Sequence, residues 1–93
     1  MMMPPFLRKS PFESVLRQLN AVFDAAGVDD THGTYHAIKI AELTHYVLEG
    51  ENGIDVEMRE DLLLAALLHD ADDRKYFPMN KAFNNASTIL QKI

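Results

Sequence analysis

Seven consecutive apolar residues, Leu62-Leu63-Leu64-Ala65-Ala66-Leu67-Leu68, run directly into His69-Asp70. A helix that is apolar on every side has no solvent face of its own and is expected to be buried on every side. This stretch should therefore lie at the centre of the domain. Its end then carries an imidazole and a carboxylate into or beside the core. Desolvating an ionised carboxylate is costly unless a cation or hydrogen bonds compensate. A metal ion is one such partner, since His and Asp are ligands that hard or borderline metals accept. A helix-end histidine hydrogen-bonded to a capping aspartate is the other reading. What else the sequence delivers to that point decides between them.

At 93 residues the chain is read as one domain, residues 1–93, with 1–9 as an irregular lead-in. It holds no cysteine, which excludes disulfides and thiolate metal sites. A formal charge of −5 argues against a broad nucleic-acid surface, which needs a basic face. It leaves room for a small phosphorylated ligand held by a few local cations. The first residues lack the apolar core of a signal peptide, and no run approaches the length of a membrane span. These features predict a soluble, cytoplasmic domain.

Along the chain, Ser10-Pro11-Phe12-Glu13 is a helix start, with Ser10 as cap, Pro11 in the first turn and Glu13 completing a capping box. Phe12, Val15, Leu16, Leu19, Val22, Phe23 and Ala26 then recur at helical spacing, and Gly27 closes the element. A second helix is expected from Thr34 to Glu49, ended by Gly50. Its apolar face carries His36, Ile40, Leu43 and Val47, with Ala37, Ala41, Thr44 and Leu48 beside it. Asp55 is a cap for a third helix reaching His69. Asp72 to Pro78 reads as a charged loop, and Asn80 as the cap of a fourth helix with the stripe Ala82, Phe83, Ala86, Ile89, Leu90 and Ile93. No stretch has the period of a strand. The predicted class is all-α, a compact array of four to five helices.

The loop between helices two and three is short enough to make them an antiparallel pair. The start of one then lies beside the end of the other, so His36, His69 and Asp70 can reach a single point. Adjacent residues on a helix diverge by roughly 100°. His69 and Asp70 can share one ion only at a helix end or break, which the charged loop supplies. His45 is about half a turn out of phase with His36 and is expected to be structural. His32, in a loop, is a candidate only for an accessory role.

His36-Ala37-Ile38-Lys39-Ile40-Ala41 followed by Leu67-Leu68-His69-Asp70 resembles the HD superfamily of metal-dependent phosphohydrolases over residues 30–90. That resemblance implies an all-α, HD-domain-like fold and assigns His36, His69 and Asp70 as three of four ligands to a divalent metal ion such as Mn, Fe, Mg, Ni or Zn. It also implies that Asp73, three positions after Asp70, takes part in water activation. Phosphate chemistry needs cations, for which Lys39, Arg74 and Lys75 are the substrate-binding candidates. The family's fourth ligand is a later Asp, and no acidic residue follows Asp73 here. A shortened member, a site completed by another subunit and a degenerate site all fit that departure. Two functions are therefore expected as rivals. One is hydrolysis of a nucleotide or other small phosphate ester, with metal-activated water as nucleophile. The other is a non-catalytic helical module that works by association, with a homodimer as the simplest cover for an apolar face.

Overall fold

In the computed structural model, which describes residues 3–29, 31–80 and 84–93, four helices follow a short 3-10 turn at Pro5–Leu7. They are α1 Phe12–Ala25, α2 Thr34–Glu49, α3 Val56–Leu68 and α4 Asn84–Leu90, with no strand among the described residues. The all-α array is as the hydrophobic periodicity predicts. One cluster of buried side chains draws on all four helices, including Leu19 and Phe23 of α1, Ala41 of α2, Leu67 of α3 and Ile89 of α4.

The ends of the helices show which local signals were used. Pro11, not Ser10, precedes the first residue of α1, and no side chain caps that helix. The backbone does the work instead: the Lys9 carbonyl accepts from Glu13 N and the Pro11 carbonyl from Val15 N, both at 3.1 Å. The Glu13 amide, which a Ser10 cap would have bound, is thus taken by the Lys9 carbonyl. At the other end Gly27 has φ +74°, and Val28 N donates to Phe23 O at 3.0 Å while Gly27 N donates to Asp24 O at 3.1 Å. This is the left-handed closure that glycine permits without steric cost. The lead-in is not irregular: its 3-10 turn seals the core with Leu7, which is 1% exposed.

α2 spans the predicted residues, but its buried face differs from the predicted one. Ala37, Ile38, Ala41 and Leu48 are buried, whereas Leu43 and Val47 are 63% and 61% exposed. Small residues on the inner face let α2 approach its neighbours closely, and this rotates the Leu43–Val47 edge outward. Gly33 sets the start of α2. A Cβ there would meet the Phe23 ring at 3.2 Å and the Asp29 carbonyl oxygen at 3.1 Å, tighter than ordinary contact. Thr34 Oγ1 adds a hydrogen bond to Asn20 Oδ1 of α1 at 2.9 Å.

α3 begins as predicted, with Asp55 Oδ1 accepting from Met58 N at 2.7 Å. It is not buried on every side. Leu63, Ala66, Leu67 and Leu68 are in the core, Leu64 is half-buried, and Leu62 is 42% exposed. α4 is described from Asn84, and residues 81–83, between the predicted Asn80 cap and that point and including Ala82 and Phe83, lie outside the described residues. Ala86 and Ile89 are buried as the stripe predicts, while Leu90 and Ile93 are largely exposed.

Core and edge should respond differently to truncation. Leu67→Ala is expected to lower unfolding free energy by about 3 kcal/mol through lost transfer and a residual cavity. Leu43→Ala should change it by less than about 0.5 kcal/mol. Urea denaturation followed by circular dichroism measures both.

Candidate metal centre

Three side chains meet where the start of α2 lies against the end of α3. His36 is the third residue of α2, His69 caps the C-terminus of α3, and Asp70 follows it. Helical hydrogen bonding stops at Leu68, and the chain continues in tight turns, with Ala71 N donating to Leu68 O and Asp73 N to Asp70 O. The break that the two adjacent ligands require is thus at His69 itself. Nε2 of His69 lies 3.0 Å from Asp70 Oδ2, and Nε2 of His36 lies 3.7 Å from the same oxygen. One ligand atom from each of the three residues lies within 4.8 Å of the others. Ligands held by one ion at about 2.1 Å can be no more than about 4.2 Å apart, a span that both pairs through Asp70 already satisfy.

The protonation pattern of His69 tests whether the donor set suits a cation. Its Nδ1 is 2.7 Å from the Ala66 carbonyl oxygen. A carbonyl cannot donate, so Nδ1 carries the proton and the neutral ring presents a lone pair at Nε2. That lone pair faces a carboxylate oxygen at 3.0 Å. Two acceptors so close repel one another unless a second ring proton or a cation supplies positive charge. A ring nitrogen oriented by a backbone carbonyl is also the usual support for a metal-ligating histidine. The residues present fit a divalent cation. They are half open to solvent, with side-chain exposures of 42%, 35% and 28% for His36, His69 and Asp70, so an ion has access.

The remaining candidates are distributed unevenly. Asp73 is half-buried beside Asp70, lines the same groove as His69, and accepts from Lys75 N through Oδ1 at 2.9 Å. Lys39, Arg74 and Lys75 are exposed and line no part of that groove. The Lys39 ammonium lies 6.0 Å from the Tyr35 ring centroid and that of Lys75 5.5 Å from the Tyr76 ring. His32 stays outside the cluster: its backbone N and Nδ1 both contact Asp29 Oδ1, at 3.0 and 2.9 Å. The hydrogen bond from the His32 side chain, followed by those from Thr31 and the His32 backbone, holds the Asp29 carboxyl below its ordinary range. His45 is on another side of the molecule, as its phase predicts, stacked on Phe6 with ring centroids 4.0 Å apart and Nε2 3.1 Å from Glu49.

Sequence reasoning gave Asp72 no role, and it is the best-connected carboxylate in the region. Oδ1 accepts from Asn85 N at 2.6 Å and Asn80 Nδ2 at 2.9 Å, and Oδ2 accepts from Ala86 N at 3.0 Å. Asn85 Nδ2 also donates to the Ala71 carbonyl at 2.7 Å. This carboxylate ties the turn that bears His69 and Asp70 to the first turn of α4. Its partners lie 8 to 14 residues away, beyond the reach of any local capping signature.

Comparison of the chain with protein-family models, with curated proteins and with solved structures finds no match in any of the three. Among the described residues no helix is long and apolar enough to cross a membrane.

Metal binding can be read without any assumption about reaction. Titration with Mn or Ni is expected to raise the melting temperature with free ion concentration, by about 2.7 kcal/mol of stability at a hundredfold excess over Kd. His36→Ala and His69→Ala should each abolish the rise. A wild-type melting curve indifferent to every divalent ion tested would exclude the site.

Proposed function

We propose that the protein is a metal-dependent phosphohydrolase acting on a small phosphate ester, an HD-like member of the class to which its His36…His69-Asp70 pattern is similar. The observation that supports this most is the convergence of His36, His69 and Asp70 on one point, with His69 Nδ1 engaged by Ala66 O and the other nitrogen turned to Asp70. When bound, a divalent cation polarises a phosphoryl oxygen and lowers the pKa of water toward neutrality. His36, His69 and Asp70 would hold it. Asp73, held in the adjoining turn by the Lys75 amide, takes the proton of the attacking water as general base. Its orientation matters more than its basicity, because an untethered loop carboxylate would sample many positions. Lys39, Arg74 and Lys75 are exposed and line no part of the groove, so they are given no direct contact with substrate.

The Mn- or Ni-loaded protein is expected to release phosphate from a simple monoester. Asp73→Asn should lower kcat by about a hundredfold while leaving the metal Kd unchanged, and His69→Ala should reduce both to background. Absence of phosphate release under metal saturation would defeat the hydrolase reading.

A second reading, association through a helical face, draws on a separate observation. Leu43 and Val47 of α2 and Met58 and Leu62 of α3 are all exposed on the antiparallel pair. Apolar surface of this kind commonly marks a protein contact, and a two-fold pairing with a second copy would cover it. Light scattering over a concentration series tests this: a dimer that Leu43→Glu converts to monomer supports it, and a monomer throughout rules it out.

A further inference from the structure

A groove of about 690 Å³ adjoins the candidate centre, with His69 and Asp70 in its lining. Its apolar walls are Leu64, Ala65 and Leu68 of α3 facing Ala86 and Leu90 of α4. Along α3 and its cap the lining runs from Asp61 to His69, eight steps of about 1.5 Å or about 12 Å. Asp61, Asp70, Asp72 and Asp73 supply its charge, and no Lys or Arg lines it among the described residues. At the start of α4, a helix N-terminus of the kind that binds anions, the Asn85 and Ala86 amides both donate to Asp72.

Anything lying along this groove therefore meets hydrocarbon and carboxylates, with no described donor or cation for a phosphate. Among the described residues, the His36–His69–Asp70 end is the place where a phosphoryl group would be held, through the ion. We propose that the groove receives the alcohol half of a phosphate monoester, a neutral aryl or alkyl group up to about 12 Å long, and that di- and triphosphates are excluded. This rests on the hydrolase reading, and it names the substrate class of that site. A second or third phosphate would lie against Asp61 or Asp73, where like charge opposes it. An apolar body gains by leaving water, as ligands do in pockets of this kind. Selectivity thus comes from the groove and turnover from the metal end, two properties that substitution can separate.

The test uses the full chain with Mn held at constant free concentration, and calorimetric titration in place of activity. The probes are methylphosphonate, phenylphosphonate and a non-hydrolysable nucleoside triphosphate. Phenylphosphonate is expected to bind at least about tenfold tighter than methylphosphonate, as burial of a ring in an apolar site predicts, and the triphosphate more weakly than phenylphosphonate. Ala65→Glu, at an exposed position of α3, should bring phenylphosphonate down to the affinity of methylphosphonate without altering Mn affinity. Equal binding of the two phosphonates, or preference for the triphosphate, overturns the groove assignment and leaves the metal centre standing. Failure to bind Mn at all removes the metal centre and the groove assignment together.

Discussion

The register of α2 against α3 decides where every chemically capable side chain ends up. Asp55 starts α3 with a side-chain cap, and the short Gly50–Asp55 connection fixes how far α2 must run before it turns. At the far end Gly33 packs its backbone against Phe23, so α2 cannot slide without pushing a side chain larger than hydrogen into a buried ring. Ala37 and Ala41 keep the buried side of α2 flat. A shift by a single residue would turn His36 by roughly 100°, and Asp70 would lose its second imidazole. Three polar residues thus owe their meeting to contacts made almost entirely by apolar groups and glycine.

Past Leu68 the chain places three aspartates within four positions and gives each a different surrounding. Asp70 faces two imidazoles, Asp72 binds the first amides of α4, and Asp73 takes the Lys75 amide while lining the groove. Tight turns make this separation workable, since consecutive side chains there diverge more than on a strand or a straight helix face. Asp72 is the structural member of the three. Leaving two part-buried amides without an acceptor costs about 1–3 kcal/mol each, so its carboxylate holds the turn against α4. The His69-Asp70 geometry follows from that attachment.

Local signals in the sequence identified what depends on nearby residues. The bounds of α2, the Asp55 cap, the Gly27 closure and the meeting of His36 with His69-Asp70 all follow from spacing, capping chemistry and a short loop. The misjudged features depend on distant partners. Ser10 has no capping role because the Lys9 carbonyl takes the Glu13 amide, and Asp72 has one through residues 13 and 14 positions away. Leu43 and Val47 read as core because periodicity reports that a face is apolar, not whether another element covers it.

The uniformly apolar α3 is best understood as a helix with three different apolar faces. At roughly 100° per residue, Leu63, Ala66 and Leu67 point to one side, and these enter the core. Asp61, Leu64, Ala65 and Leu68 form the groove wall on nearly the opposite side. Met58 and Leu62 project between them on the edge shared with α2, about 80° from the groove. Leu68 is also buried and Leu64 packs against the core, so Met58, Leu62 and Ala65 are the apolar residues of these faces that folding leaves exposed. His69, seven positions after Leu62, falls on the Met58–Leu62 side of the helix and also lines the groove, so the exposed edge and the groove meet at it. His69 and Asp70 stand where that helix ends.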